Sequence, residues 1–282
     1  MVRYFIVFLL LAYPSLSLSY SDSYEQRIAK QLLEGRTARE VLWSKAGGRE
    51  FVTLYQGYYT DQPRGAIILL HGMGAHPDWP QVINPLRISL PELGWATLSI
   101  QLPVLSPEMP IADYGLTLGN AKLRFQAAVQ QLRKRGFLNI IVIGHSFGAA
   151  TAAYALSANN TKNVNAFIGI SMQAQQFLNP RLKLLKELQA IDIPVLDIYG
   201  SNDILEILRE ADDRRLAARK NANEAYQQMV IEGANHYFSG LEDVLIQRIQ
   251  EWLIKTSLGV SVMVEGEEIS LQKSKLEAKT GE

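Results

Sequence analysis

The sequence predicts an α/β protein built on a doubly wound, mostly parallel sheet, and three observations carry that prediction. Short apolar runs alternate with helical stretches along most of the chain. Several of those runs are continuously apolar rather than alternating, the pattern of strands buried on both faces of a parallel sheet. The 282 residues are 48% hydrophobic and 20% charged, which supplies one sizeable core and suits a single α/β domain.

The first residues read MVRYFIVFLLLAYPSLSLSYSDS: Arg3, an apolar run from Tyr4 to Tyr13, then small residues that suit a cleavage site near Ser19. That run is about half of the ~20 apolar residues a membrane-spanning helix needs. Residues 1–19 therefore read as an export signal, leaving no stable membrane span after cleavage, and no Cys follows to carry a lipid. From Tyr24 to Lys45 the pattern fits a short helix and a strand without a motif.

The expected strands then follow in order: FVTLYQGYY (51–59), GAIILLHG (65–72), WATLSIQLP (95–103), NIIVIGHS (139–146), NAFIGIS (165–171), PVLDIYG (194–200) and YQQMVIEG (226–233). Between them a helix is expected from Gly119 to Gly136, with Phe125, Ala128, Val129 and Leu132 on one face, a basic end and a stopping glycine. Further helices are expected from Ser146, over Pro180 to Leu188, over Ile204 to Lys220, and over Leu241 to Lys255, their charged faces meeting solvent. Residues 20–257 form the domain, and residues 258–282 a polar tail in which only VSVMV suggests order.

Twenty-eight basic and 28 acidic residues balance, so the electrostatic footprint of a nucleic-acid binder is missing. Without cysteine there is no disulfide, thiolate nucleophile or sulfur-ligated zinc. Imidazole chemistry falls on His71, His76, His145 or His236. His71 and His76 lack the carboxylate or cysteine cluster that would complete a metal site, and no cofactor is expected.

The strongest local signal is Gly144-His145-Ser146-Phe147-Gly148, placed directly between the buried-strand run NIIVI and the helix-forming run AATAAYAL. A G-x-S-x-G elbow needs this context: a tight strand-to-helix turn lifts the serine hydroxyl above the sheet, so its flanks must be small. The turn also sets Ser146 at a helix N-terminus, where the backbone N–H of Phe147 is available to an oxyanion. The competing interpretation is a glycine-rich turn with a capping serine.

This motif resembles that of the α/β-hydrolase superfamily, and the likeness runs from about Phe51 to Trp252. It implies a nucleophile followed in order by an acid and a histidine. Asp203, just past PVLDIYG, matches the acid, and His236, in GANH after the next strand, matches the base. Asp203 alternatively caps a helix; Asp197, Glu206 and Asp212 are weaker candidates for the acid. His145 is expected to pack or hydrogen-bond beneath the elbow.

The segment HGMGAH after AIILL resembles the family's oxyanion loop, which implies the N–H of Met73 as second donor. His71, Gly72, Gly74 and Trp79 are candidates to line the substrate cleft, although Trp79 equally suits packing on the loop. Only about 22 residues, Met172 to Ile193, occupy the place where many relatives insert a cap, so a minimal cap or none is expected.

HGMGAHPDWP with GWATLSIQLP is most similar to an uncharacterised bacterial family of exported α/β hydrolases, which implies a periplasmic location. The expected activity is a serine hydrolase cleaving a small-molecule carboxylic ester or thioester through an acyl-enzyme. An amidase or peptidase with the same triad, or a non-catalytic envelope module on this fold, are the alternatives. Asn159-Asn160-Thr161 matches a glycosylation sequon, which matters only in a eukaryote.

Overall fold

A computed structural model describes residues 15–34, 40–157, 163–220, 223–257, 261–264 and 267–270, with side chains described between residues 24 and 257. The apolar run of the expected export signal and the sequon at 159–161 lie outside the described residues. Among the described residues no helix is long and apolar enough to cross a membrane.

The chain opens with helix α1 (Ser15–Leu33), which spans the expected cleavage point, then the hairpin β1 (Val41–Ala46) and β2 (Arg49–Gln56). The rest alternates: β3 (Gly65–Leu70), α2 (Ile83–Ser89), β4 (Trp95–Ile100), α3 (Tyr114–Lys134), β5 (Ile140–His145), α4 (Phe147–Leu156), β6 (Ala166–Ile170), α5 (Leu184–Gln189), β7 (Val195–Asn202), α6 (Leu205–Lys220), β8 (Tyr226–Asn235) and α7 (Glu242–Thr256). Within the expected polar tail, β9 (Ser261–Val264) and β10 (Glu267–Ser270) pair as an antiparallel hairpin, so the order that VSVMV suggested extends over a second strand.

Eight strands form one sheet in the order β1-β2-β4-β3-β5-β6-β7-β8, antiparallel at β1–β2 and β2–β4 and parallel from β4 to β8. Strands β3, β4, β5 and β6 are buried at every position, as their unbroken apolar runs require. Alternation across the sheet divides the core in two. Ile68, Leu70 and Val142 pack with Phe125, Ala128 and Leu132 of α3 and with α4 on one face. Ile67, Leu69, Ile141 and Ile143 pack with α2 and with Ile249 and Trp252 of α7 on the other.

Three departures from expectation have local causes. Helix α3 starts at Tyr114 rather than Gly119, because Gly115 is where the backbone of Asn179 and Pro180 rests on the helix. A Cβ there would lie 2.4 Å from the Pro180 carbonyl oxygen, so this glycine serves close approach rather than helix breaking. Helix α5 begins four residues later than expected, since Leu178 and Leu182 are buried by the loop that precedes it. The charged face of α6 does not all meet solvent: Arg214 is fully buried and its Nε donates to Asp197 Oδ2 at 2.7 Å.

Candidate active site

Five strands end beside one another along the carboxyl edge of the sheet, and the residue that follows each is polar: His71 after β3, Ser146 after β5, Ser171 after β6, Asp203 after β7 and His236 after β8. The register aligns these exits. Leu70 pairs with Gly144, His145 with Ile170, and Asn202 with Asn235. Open α/β sheets place their ligand sites at this edge.

Ser146 sits at the strand-to-helix turn with φ 53° and ψ −117°, a conformation that L-residues avoid and that costs roughly 1–3 kcal/mol. The neighbouring glycines make it accessible. A Cβ on Gly144 would meet the Ala149 backbone at 2.6 Å, and one on Gly148 would fall 2.2 Å from the Leu70 carbonyl oxygen and 2.5 Å from that of His71. The Ser146 N–H donates to Ile170 O at 2.8 Å, and its carbonyl accepts the N–H groups of Ala149 and Ala150. Its Oγ makes no hydrogen bond among the described residues. The N–H of Phe147, first residue of α4, has no intrahelical acceptor.

Asp203 and His236 are brought together: His236 Nδ1 lies 2.8 Å from Asp203 Oδ1. A carboxylate only accepts, so the imidazole proton sits on Nδ1 and the Nε2 lone pair stays open to take a proton. Asp203 Oδ1 also accepts the Ile204 N–H at 2.8 Å, and Oδ2 accepts the Ser171 hydroxyl at 2.5 Å. Burial alone would raise the Asp203 pKa, but the hydrogen bonds from His236 and Ser171, with the imidazole's charge and the Ile204 amide, outweigh it and hold the carboxyl below its ordinary value.

The other acid candidates sit elsewhere. Asp197 is enclosed inside β7 by Arg214, Tyr226 and Gln228, and Asp212 pairs with Arg215 on the surface at 2.6 Å.

His145 is buried beneath the turn, where its Nε2 donates to the carbonyl oxygen of His236 at 2.9 Å, and the two rings lie 5.0 Å apart. The residue before the serine thus holds the loop that carries the histidine. Burial, reinforced by the charge of His236, pushes the His145 pKa down to about 4.

The loop after β3 folds against the turn, since a Cβ built on Gly72 would lie 3.8 Å from Ser146 Cβ and 3.5 Å from His145 Nδ1. His71 is engaged at both nitrogens: Nδ1 donates to Gly72 O at 2.8 Å, and Nε2 accepts the Leu102 N–H at 3.0 Å. Burial holds it neutral, with a pKa of about 3. His71 therefore braces the loop from below and offers no free atom to a ligand.

Gly74 adopts φ 70° beside the Tyr114 hydroxyl, and the Tyr114 ring packs edge-on against Phe147 at 5.5 Å. No backbone carbonyl among the described residues accepts the N–H of Met73. Trp79 is half-buried against the α2–α7 core, edge-on to His76 at 5.2 Å. Asp78 ties this segment to α2 through Asn84 and Arg87.

Sequence reasoning missed Ser171 and Tyr114. Ser171 had a signal: a serine ends the apolar run AFIGIS in the same way that Ser146 ends IIVIGHS.

Among the described residues no cap domain covers the site. The 172–193 segment is held down by buried Leu178, Leu182, Leu184 and Leu188, by Asn179 N–H on Ala112 O, and by Ala174 N–H on Glu210. A groove of about 460 Å³ lined by Trp43, Arg49, Glu50 and Arg124 opens at the β1 edge, the opposite end of the sheet from Asp203 and His236.

The family model described as "Protein of unknown function (DUF3530)" matches residues 17–117 and 118–255. A search among curated protein sequences finds no match. Solved structures with the same fold include Est1E from Butyrivibrio proteoclasticus, with 15% identity over 77% of this chain and 98% of that one, at a TM-score of 0.62. An esterase from Pyrococcus furiosus shares 17% identity over 77% and 92%, at 0.63. Dienelactone hydrolase from Anabaena variabilis shares 20% over 77% and 96%, at 0.61. The chain therefore belongs to the DUF3530 family, and its architecture is the α/β-hydrolase fold without a lid.

Proposed function

We propose that this protein is a serine hydrolase that cleaves a small-molecule carboxylic ester or thioester, with Ser146 as nucleophile, His236 as general base and Asp203 as the acid that orients it. The observation that carries this reading is the His236–Asp203 hydrogen bond of 2.8 Å beside a strained serine turn with an unengaged hydroxyl. A serine hydroxyl becomes nucleophilic only when an imidazole takes its proton, and the imidazole needs its second nitrogen held.

In the proposed reaction His236 Nε2 takes the Ser146 Oγ proton as Oγ bonds to the substrate carbonyl carbon. The resulting oxyanion lies against the N–H groups of Met73 and Phe147. The intermediate collapses, the bond to the leaving oxygen or sulfur breaks, and His236 returns the proton to it. Water then attacks the acyl-enzyme by the same route, and the acid departs. Asp203 stays ionised throughout.

The missing lid supports an open cleft that takes a modest acyl or alcohol group. The esterase and hydrolase names of the fold relatives are consistent with ester chemistry. We also propose that the protein is exported, on the strength of the segment from Arg3 to Ser19.

A panel of p-nitrophenyl esters of graded chain length tests the reading. Wild type turns over the short esters, and Ser146→Ala, folded by circular dichroism, loses at least about 10³-fold in kcat. A folded wild type inactive on the whole panel refutes it, and activity that rises beyond about eight carbons refutes the open, small-group cleft.

A further inference from the structure

We infer that Ser171 is a positioning residue of the same site, a fourth member that fixes the acid by hydrogen-bonding the carboxylate oxygen that His236 does not use. The inference rests on the triad reading above. Ser171 is fully buried, so it touches no substrate. It adopts φ 50°, a left-handed conformation in which glycine is favoured, yet a serine stands there. Backbone strain of this kind persists only where the surroundings over-determine it, and it clusters at functional sites.

The surroundings here are specific. Ser171 N–H donates to Ile198 O of β7 at 2.9 Å, just as Ser146 N–H donates to Ile170 O of β6 at 2.8 Å. The three strand exits are therefore linked in series: the nucleophile turn hangs on the end of β6, and the next residue of the chain hangs on β7. From that fixed point the Ser171 hydroxyl reaches Asp203 Oδ2 at 2.5 Å.

Asp203 Oδ1 is already taken by His236 Nδ1 and the Ile204 amide. With both oxygens loaded, the carboxylate plane cannot turn, and Oδ1 stays aimed at the imidazole. The Asp203 side chain has no exposed surface, so no solvent replaces a lost donor at Oδ2. The ionisable groups facing Asp203 are His236 from the β8 exit and His145 from the β5 exit. Neither contacts Oδ2, which leaves that oxygen to Ser171.

Removing the hydroxyl makes the carboxylate more basic, and a more basic carboxylate holds a proton on the imidazole more tightly. It also lets the carboxylate swing off line. Both effects act on the chemical step and not on substrate binding.

Ser171→Gly is the decisive variant, because glycine takes φ 50° without strain while removing the hydroxyl together with its methylene. Ser171→Ala removes the hydroxyl with the strain retained, and guards against a folding effect peculiar to glycine. The readouts are kcat, KM and the acid limb of kcat/KM on a short p-nitrophenyl ester, with the thermal midpoint as control.

Both variants should lose about tenfold in kcat with KM within about twofold of wild type, and the acid limb should move to higher pH by roughly half a unit. Ser171→Gly should keep the wild-type thermal midpoint within about 4 °C. Wild-type kcat and an unmoved acid limb in both variants overturn the role of Ser171 and leave the triad reading standing. A loss confined to KM overturns it equally. A wild type that neither hydrolyses the ester nor reacts with a fluorophosphonate overturns the triad reading, and this inference with it.

Discussion

Lowering the pH from 8 to 5 should destabilise this protein by about 4 kcal/mol through His71 and His145 alone. Both are buried and neutral in the folded chain, at about 3 and about 4 against an ordinary value of 6.5. Their folded values are depressed, so the unfolded chain binds more protons between those values and 6.5. The stability they confer is complete above 6.5 and is lost as the pH falls.

At pH 5 the unfolded state gains about 2 kcal/mol from each imidazole, a figure that depends on the unfolded value and hardly on the folded one. Asp203 adds nothing in this window, because a lowered carboxylate confers stability above its unfolded value of 3.8 and loses it below. Against a total stability of roughly 5–15 kcal/mol, 4 kcal/mol is a large share.

The assay is urea unfolding at pH 8 and pH 5. With a slope of about 2–3 kcal/mol/M the midpoint falls by roughly 1.3–2 M. His145→Gln retains an amide to donate to His236 O but cannot titrate, so it should halve the drop. A wild-type midpoint that moves by less than about 0.3 M, or a variant with the full drop, refutes the buried-neutral assignment.

Other substitutions test the packing that presents the site. Gly148→Ala drives a methyl into two backbone carbonyls and should cost at least about 1–3 kcal/mol, whereas Gly119→Ala, in mid-helix with open space around it, should add about 0.5–1 kcal/mol; equal effects in thermal unfolding would contradict the close approach of α4 to β3. Arg214→Met strands the Asp197 charge inside the protein and should cost about 3–5 kcal/mol, most of it recovered when Asp197→Asn is added. A double variant as unstable as the single one by urea midpoint would exclude a charge-based role for the pair.

The features legible in the sequence were those that local physics writes into consecutive residues. Unbroken apolar runs declared the buried strands, and the two glycines around Ser146 declared a turn too tight for any side chain. What stayed hidden depends on partners distant in the chain. Asp197 inside PVLDIYG signals that a buried charge needs a partner, but nothing local says that Arg214, 17 residues on, supplies it. Gly115 looks like an interruption of a helix until Asn179 and Pro180 are seen resting on it. Ser171 is one more serine at a strand end until the register of β6 and β7 sets it against Asp203. His71 shows the converse: its motif pointed to the cleft, and its two hydrogen bonds assign it to bracing the loop.

The central claim, that Ser146 is a nucleophile activated by His236, is tested most directly by fluorophosphonate labelling followed by intact mass and peptide mapping. The expected result is one adduct per chain, on the peptide carrying Ser146, absent in Ser146→Ala and strongly slowed in His236→Ala. A folded wild-type protein that acquires no adduct, or one whose adduct maps to another residue, contradicts the claim.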